Sequence, residues 1–230
     1  MRDVDVDRAT LVLEIADGSS EAVAKFRTKD GVTTKTVAVA DLLMEISHDM
    51  EITTGILPSG TKFYAGTKNS YRIGIQVPTK VRTAEFRLDG GPRAMTVPFP
   101  EILFVFTVSE GRILDSRLFA CVPPIGRSYD RLYRFPFGNV YEEGNICWGG
   151  NILPQINEPI VLDGVVSRFF TSGFSGHLVY GTNMFNPPEG VVNLRTLLEH
   201  LVGQEHFPDR ILKSSNVTLG MAISHGDNRR

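Results

Sequence analysis

The sequence has little cysteine and no excess of charge of one sign. Its 230 residues contain two cysteines, Cys121 and Cys147, which form at most one bridge, so a disulfide scaffold is excluded and a reducing cytoplasm is the expected location. Lysine and arginine number 24 and aspartate and glutamate 26, which gives a formal net charge of −2. Because no basic excess is available to neutralise phosphates, we expect no binding to nucleic acid.

Long apolar runs are also missing. The most apolar stretch, residues 97–108, is too short to span a membrane and is interrupted by Glu101. The N-terminus carries charges where a signal peptide would be apolar. We therefore expect no membrane association. The hydrophobic content of 42% is nevertheless enough for a real core, which excludes a disordered chain.

The common fingerprints of nucleotide, metalloprotease and serine-hydrolase sites do not occur. The sequence contains no glycine-rich phosphate loop, no HExxH and no GxSxG. The histidines are scattered, and His200 and His206 have no second pair of ligands beside them. We therefore predict neither a metal site nor a cofactor.

Residues 1–39 show the pattern of a small β-meander. Alternating segments at 11–15, 22–28 and 32–39 are separated by Asp-Gly turn signals at 17–18 and 30–31. Behind Asp41, apolar residues recur at helical spacing and predict a short helix over about 40–50. We predict a β appendage at 1–39, a main domain at 40–225 and a frayed tail at 226–230.

The main domain begins with further strand patterns. Strands are predicted at 71–77, 84–88, 101–108 and 112–120, joined by short connections, which indicates an antiparallel meander. Periodicity fails between Pro123 and Gly164, and a loop of that length is usually functional.

Two helices are predicted after this loop. The first covers residues 165–170, capped by Asp163 and stopped by Gly173, and the second is capped by Asn193 and ended by Gly203. The order of elements predicts an α+β fold with an antiparallel meander, an extended loop and C-terminal helices.

The loop contains the most informative segment, NVYEEGNIC, which ends at Cys147. A cysteine in irregular, glycine-flanked backbone is well placed to be presented to a partner. Free cysteines are also often buried as small hydrophobic residues, so from the local sequence both interpretations of Cys147 remain open.

This segment resembles the active-site signature of ubiquitin-conjugating enzymes, in which His-Pro-Asn leads through a Val/Ile-Tyr pair to Gly-Asn-Ile-Cys. Eight positions separate Asn139 from the cysteine, as in that family, and VPFPEILFVF upstream resembles its Tyr-Pro-Phe strand. A bacterial branch, protein B of the PRTRC cassettes, is more similar still. It shares LYR-x-P-x-x-NV…G-x-x-C-x-G and FF-x-S-x-F-x-H, which correspond to Leu132–Gly149 and Phe169–His177.

The resemblance implies a ubiquitin-conjugating-like fold and a modifier-transferring activity. Cys147 would accept the carboxyl end of a ubiquitin-like modifier from a ThiF-like activating enzyme as a thioester and pass it to an amine. Asn139 would donate to the oxyanion or brace the loop, and its loss is expected to slow transfer more than it lowers stability. His177 would orient or deprotonate the amine, or it contacts a backbone carbonyl at a helix end. A JAB-type deconjugating peptidase is a further candidate partner.

The sequence departs from the family at three positions of the signature. Phe137 stands where the family has histidine, Gly138 where it has proline, and Trp148 where leucine usually follows the cysteine. The bacterial branch also lacks the histidine. The alternative hypothesis is a non-catalytic modifier-binding or scaffold protein of the same fold. A third is an adaptor in a mobile-element or antiphage cassette, with Cys147 packed in the core.

Overall fold

The computed structural model describes residues 11–16, 19–28, 31–48 and 54–224. Contacts between residues divide the chain into two compact units, residues 1–53 and 54–230. Three predicted features lie outside the described residues: the turn at 17–18, the Asp30 side of the second Asp-Gly turn, and the frayed tail at 226–230.

Within its described residues, the first unit contains a three-stranded antiparallel sheet and one helix. Strands β1 (Leu11–Ile15), β2 (Glu21–Thr28) and β3 (Gly31–Ala38) pair in sequence order. Helix α1 (Val39–His48) follows without a gap and belongs to the same unit. The predicted strands and the predicted helix are confirmed. The separate role predicted for residues 1–39 stays a prediction.

The second unit is built on a six-stranded antiparallel sheet. The strands of this unit are β4 (Thr61–Gly66), β5 (Ser70–Val77), β6 (Lys80–Leu88), β7 (Gly91–Phe99), β8 (Glu101–Ser109), β9 (Arg112–Cys121), β10 (Arg131–Tyr133), β11 (Phe174–Ser175) and β12 (Ser214–Thr218). The main sheet has the order β12-β10-β9-β8-β5-β4. β8 is apolar on both faces because it lies between β5 and β9, with a core on each side of the sheet.

A second, smaller sheet interrupts the expected run of strands. β6 and β7 form an antiparallel hairpin, and β11 adds to the free side of β6 as a parallel strand. As a result, β5 pairs with β8 and not with the next strand along the chain. The meander of four successive strands expected from sequence is wrong in this detail. The chain leaves the main sheet after β5, forms the β6–β7 hairpin in the smaller sheet, and returns to the main sheet at β8.

The helices of the second unit are short. α2 (Leu162–Thr171) has Val161 at its N-cap without a side-chain cap, so the predicted cap at Asp163 is wrong. Asp163 lies in the first turn, where negative charge is favourable, and its carboxylate accepts a hydrogen bond from the amide of Ser59 at 3.5 Å. Gly173 follows with φ +70°, so the predicted stop is confirmed.

Helix α3 (Leu194–Leu201) begins as the sequence predicts. The Asn193 side chain accepts a hydrogen bond from the Thr196 amide at 3.0 Å, and Thr196 accepts from the Asn193 amide at 3.2 Å, which completes a capping box. A last helix, α4 (Leu219–Ser224), closes the described part of the chain. Within that part, every helix is too short or too polar to span a lipid bilayer.

Two hydrophobic cores hold the second unit together. The larger one packs α2 and α3 against the sheets and is rich in phenylalanine, with members Phe86, Phe99, Phe104, Phe106, Phe135, Phe137, Phe169, Phe174, Phe185 and Phe207. Several of these rings meet edge to face, for example Phe99 and Phe137 with centroids 4.8 Å apart. The smaller core lies on the opposite side of β8, around Leu103, Val105 and Cys121. The predicted α+β class is confirmed.

Candidate active site

The segment NVYEEGNIC folds back on itself, so that its two ends meet. The amide of Cys147 donates to the carbonyl of Asn139 at 2.8 Å, and Val140 and Ile146 form an isolated antiparallel bridge. The residues between them form a tight turn, in which the Gly144 amide donates to the Tyr141 carbonyl at 2.9 Å. The backbone geometry therefore places Cys147 beside Asn139.

The turn is attached to the edge of β9. The Leu118 amide donates to the Gly144 carbonyl at 2.8 Å, and the Ile146 amide donates to the Ser116 carbonyl at 3.0 Å. Gly144 has φ +93°, and a Cβ at this position would lie 2.7 Å from the Phe119 ring. Both the backbone angle and the close approach require glycine there. The loop carrying the cysteine is thus fixed to the main sheet.

The Asn139 side chain is buried, and both of its polar atoms are used. Its Nδ2 donates to the Gly173 carbonyl at 2.6 Å, and its Oδ1 accepts from the Ser175 amide at 2.9 Å. The residue has φ +67°, a left-handed conformation that asparagine adopts more readily than most residues. These contacts join the cysteine loop to the segment after α2 and favour the bracing role of Asn139.

Two of the three positions where the signature departs from the family, Phe137 and Gly138, have a physical explanation in the packing around them. Phe137 is fully buried, and its ring packs against Phe99 and Phe207 in the larger core. Gly138 passes so close to the next segment that a Cβ would lie 1.9 Å from the Ser175 carbonyl oxygen. Proline has such a Cβ and does not fit. The histidine position therefore serves the core, and the proline position serves a close backbone approach.

Cys147 is partly exposed and lies in a surface cleft of about 160 Å³. The other residues that line this cleft are Arg87, Asn139, Trp148, Gly149, Gly150, Asn151, Ser172, Gly173, Ser175 and His177. Cys121, in contrast, is buried in the smaller core, where burial and then the neighbouring Glu101 raise its pKa far above the ordinary value. The interpretation of a cysteine as a buried hydrophobic residue therefore fits Cys121, and Cys147 is the accessible thiol.

Trp148 fixes the backbone directly after the cysteine. Its Nε1 donates to the Ser116 hydroxyl at 2.9 Å, and its ring meets Phe169 edge to face at 6.2 Å. Beyond it, Gly149 has φ +57°, and the Asn151 amide donates to the Trp148 carbonyl at 3.0 Å. The large side chain after the cysteine thus acts as an anchor between β9 and α2.

His177 lies on the same cleft as Cys147. Its ring is exposed, and Nδ1 lies 2.8 Å from the Ser175 hydroxyl, which leaves Nε2 without a hydrogen bond among the described residues. Of the two alternatives for His177, the contact with a backbone carbonyl is not found among the described residues, where the ring instead contacts the Ser175 side chain. All three residues proposed from sequence, Cys147, Asn139 and His177, therefore line one cleft.

Tyr141 is a neighbour of the cysteine that the sequence reasoning did not single out. The charge of the Cys147 sulfur and then a side-chain hydrogen bond with it raise the pKa of the Tyr141 hydroxyl, and burial and Tyr180 add to this. The side chain is 44% exposed. A signal for it was present, because Tyr141 lies inside the signature itself.

A polar network supports the same loop from the other side. Arg134 Nη1 donates to Glu142 Oε2 at 2.5 Å and to the Asn183 carbonyl at 2.6 Å, and Asn183 Nδ2 donates to Glu142 Oε1 at 2.9 Å. The pKa of Glu142 is lowered, first by the hydrogen bond from Asn183 and further by Arg134. Burial acts in the opposite direction and raises it. The network ties the turn after Tyr141 to the turn that bears Tyr180, whose amide donates to Asn183 at 2.9 Å.

Metal ligands are not grouped in this part of the molecule. Among the residues that the structure describes, no three His, Cys, Asp or Glu side chains lie close enough together to hold a metal ion. The cleft instead offers a thiol, an imidazole and hydrogen-bonded backbone, a set suited to acyl transfer through a cysteine nucleophile.

The comparison with known families adds the decisive observation. The family model of prokaryotic E2 family D matches residues 54–215, most of the chain and all of the cleft. The chain belongs to prokaryotic E2 family D. E2 denotes the ubiquitin-conjugating class, so the predicted resemblance is confirmed at this level, and the narrower likeness to the PRTRC branch stays a prediction. No curated protein and no solved structure matches this family D chain.

Proposed function

We propose that this family D protein is a bacterial transferase that carries a ubiquitin-like modifier on Cys147. It receives the modifier from a ThiF-like activating enzyme and passes it to an amine. One observation carries the proposal: Cys147 is the accessible cysteine, and its loop holds it in a cleft that Asn139 and His177 also line.

The chemistry is two acyl exchanges. First, the Cys147 thiolate attacks the thioester carbonyl on the activating enzyme, so that a new C–S bond forms, the old C–S bond breaks, and the activating enzyme's cysteine leaves as its thiolate. Then an amine attacks the Cys147 thioester, an amide bond forms, and the Cys147 sulfur leaves. His177 takes the proton that the amine loses, through the ring nitrogen not bound to Ser175. The ATP is consumed by the activating enzyme.

Asn139 acts in this proposal as a brace for the cysteine loop. Its hydrogen bonds to Gly173 and Ser175 support this role, because they hold the side-chain amide against neighbouring backbone. An oxyanion donor would have to direct that amide at the reacting carbonyl.

The narrower assignments belong to the same proposal: membership of the PRTRC branch, a JAB-type peptidase as partner, and a cytoplasmic location.

The second candidate function is modifier binding without transfer. It is favoured by Phe137, because this core residue replaces the family's histidine. The partly exposed thiol of Cys147, which lies in a formed cleft, argues against it. The adaptor hypothesis needs Cys147 packed in the core, and the partial exposure of this residue argues against that arrangement.

The test is to incubate the protein with ATP, a ThiF-like activating enzyme and a small ubiquitin-like modifier. A thiol-sensitive adduct should appear on a non-reducing gel. Cys147→Ala should abolish it, Cys121→Ala should keep it, and Cys147→Ser should trap an oxyester that resists thiols. An adduct that survives in Cys147→Ala would exclude this cysteine. Binding of the modifier without any adduct would favour the second candidate.

A further inference from the structure

A larger groove of about 420 Å³ adjoins the Cys147 cleft. Arg87, Ser175 and His177 line both hollows, so the two are continuous across these side chains. On its far side the groove is lined by Asp89 and Arg195. We call it the Arg195 groove and define it by these five residues. Together with the Cys147 cleft it forms a path that begins at the nucleophile and passes the candidate acid–base residue.

The cations of this groove are available to a ligand. Arg195 is half-buried and forms no ion pair or hydrogen bond within the described part of the chain. Arg87 pairs with Glu85 at 3.2 Å, but both side chains are largely exposed, so this ion pair is weak and easily exchanged. Among the residues that the structure describes, Asp89 is the one carboxylate that lines the groove. The lining therefore offers two guanidinium groups against one carboxylate, with Arg195 the less solvated of the two.

We propose that the Arg195 groove binds the acceptor and selects an amine that is flanked by carboxylates. Guanidinium groups recognise carboxylates through paired, charge-assisted hydrogen bonds. A lysine of an acidic peptide segment would place its side-chain amine over Cys147, past His177, while a neighbouring Asp or Glu pairs with Arg195. The transfer part of this inference rests on the function proposed above, but the binding part does not.

The position of His177 favours the acceptor over the modifier's own tail as occupant. The tail is joined to the Cys147 sulfur, whereas the amine must approach from another direction and lose a proton. His177 stands where the groove meets the cleft, so an amine that arrives through the groove passes the side chain that can accept that proton. The proposed occupant is thus an acidic peptide segment of the acceptor. The experiments below test it against the alternative occupant, the tail of the modifier.

Binding is tested first, with no modifier present. Two fluorescently labelled, amidated peptides are titrated with the full chain by anisotropy: one lysine flanked on each side by two aspartates, and the same peptide with asparagines. We expect the acidic peptide to bind about fivefold more tightly, the effect of roughly one charge pair of 1 kcal/mol. Arg195→Gln should remove this preference, and Arg131→Ala, an exposed arginine outside both hollows, should keep it.

A second variant is expected to strengthen binding of the acidic peptide, a result that loss of folding cannot produce. Asp89→Asn removes the single carboxylate of the groove, so it should bind the acidic peptide more tightly than the unmodified protein does. Equal binding of the two peptides, or a preference that survives Arg195→Gln, would overturn the inference. Weaker binding by Asp89→Asn would overturn it as well.

The transfer step then tests whether the groove binds the acceptor or the tail of the modifier. Cys147 is loaded with modifier, ATP is removed, and discharge onto each peptide is followed. Arg195→Gln should slow discharge onto the acidic peptide about fivefold relative to discharge onto ethylamine, and the control Arg131→Ala should change neither rate. Slower loading with unchanged discharge would assign the groove to the modifier's tail. If no loading occurs while the acidic peptide still binds selectively, the proposed function fails and the binding site stands.

Discussion

The Cys147 amide donates a hydrogen bond to the carbonyl of Asn139 at 2.8 Å, while the Asn139 side chain bonds the backbone at Gly173 and Ser175. One residue therefore holds the nucleophile through its main chain and the neighbouring segment through its side chain. A change at Asn139 acts on the position of Cys147 as well as on stability.

Substitutions of Asn139 should lower stability in a graded order. Asn139→Ala loses two buried hydrogen bonds and leaves a β-carbon in the left-handed region, so we expect a loss of about 3 kcal/mol in the free energy of unfolding. Asn139→Gly loses the same bonds without the conformational penalty and should lose about 2 kcal/mol. Urea unfolding measures both.

The kinetics of the same variants separate bracing from oxyanion stabilisation. Under the bracing role, slower discharge of loaded Cys147 accompanies the loss of stability, and Asn139→Gly is less impaired than Asn139→Ala. If Asn139→Ala unfolds like the unmodified protein and yet discharges about a hundredfold more slowly, Asn139 is an oxyanion donor and the bracing account is wrong.

Gly138 should tolerate no side chain. The Cβ of Gly138→Ala would overlap the Ser175 carbonyl oxygen, so the two segments must separate. We expect a loss of about 3 kcal/mol or more in unfolding free energy. Gly150→Ala is the matched control, because a Cβ there meets nothing within 4 Å, and it should change stability by less than about 0.5 kcal/mol. Equal thermal melting of the two variants would contradict the close approach.

The two thiols should differ in reactivity. Cys147 is partly exposed and should react with a disulfide reagent in the native protein, whereas the buried Cys121 should react only after unfolding. Counting thiols with and without denaturant gives the result, with Cys147→Ser expected to remove the fast phase. A fast phase that persists in Cys147→Ser would place the accessible thiol elsewhere.

Burial of Cys121 also predicts a pH dependence of stability. Its raised pKa keeps the folded thiol protonated, while the unfolded thiol ionises above about pH 8.5, so this contribution to stability is present below that pH and decreases above it. The slope should reach about 1.4 kcal/mol per pH unit. Tyr71, whose pKa burial raises to about 12, adds a similar loss only above about pH 10.

Unfolding between pH 7.5 and 9.5 tests this dependence. Cys121→Val should lack the decrease, because the ionisable group is gone and an apolar side chain of similar size takes its place. Cys147→Ser should retain it, since Cys121 remains. The same slope in Cys121→Val and in the unmodified protein would show that another group is responsible.

Residues 54–230 should keep the charging activity by themselves. This unit contains both cores and the whole cleft, and the family match begins at residue 54. Chains of residues 40–230 and 54–230 should each accept the modifier on Cys147 at the rate of the full chain. A folded but uncharged truncation would show that the removed residues bind the partner enzyme.

Local patterns predicted most strands and helices, but not how the strands pair. β8 is predictable because a strand that is buried on both faces is apolar throughout. β7 contains Pro92 and Pro98, and prolines argue against a strand in a sequence-based prediction. Proline is tolerated there because β7 lies at the edge of its sheet. The departure of the β6–β7 hairpin from the main sheet depends on contacts with residues far along the chain, such as β11.

The site was predictable from its motif, and its supporting contacts were not. NVYEEGNIC identified Cys147 and Asn139, because their spacing within one segment can be compared directly. The close approach of Gly138 to Ser175 joins segments far apart in sequence, and no local pattern reports it. The same holds for the bond from Trp148 to Ser116 and for the Arg195 groove, whose lining comes from three separate elements.

The most direct test of the central claim is to locate the modifier on the chain by mass spectrometry. After charging with ATP, activating enzyme and modifier, the protein is digested under acidic conditions that preserve thioesters. The account predicts that the peptide containing Cys147 carries the C-terminal residues of the modifier and loses them on treatment with hydroxylamine. Attachment at Cys121, at a lysine, or through a bond that resists hydroxylamine would contradict it.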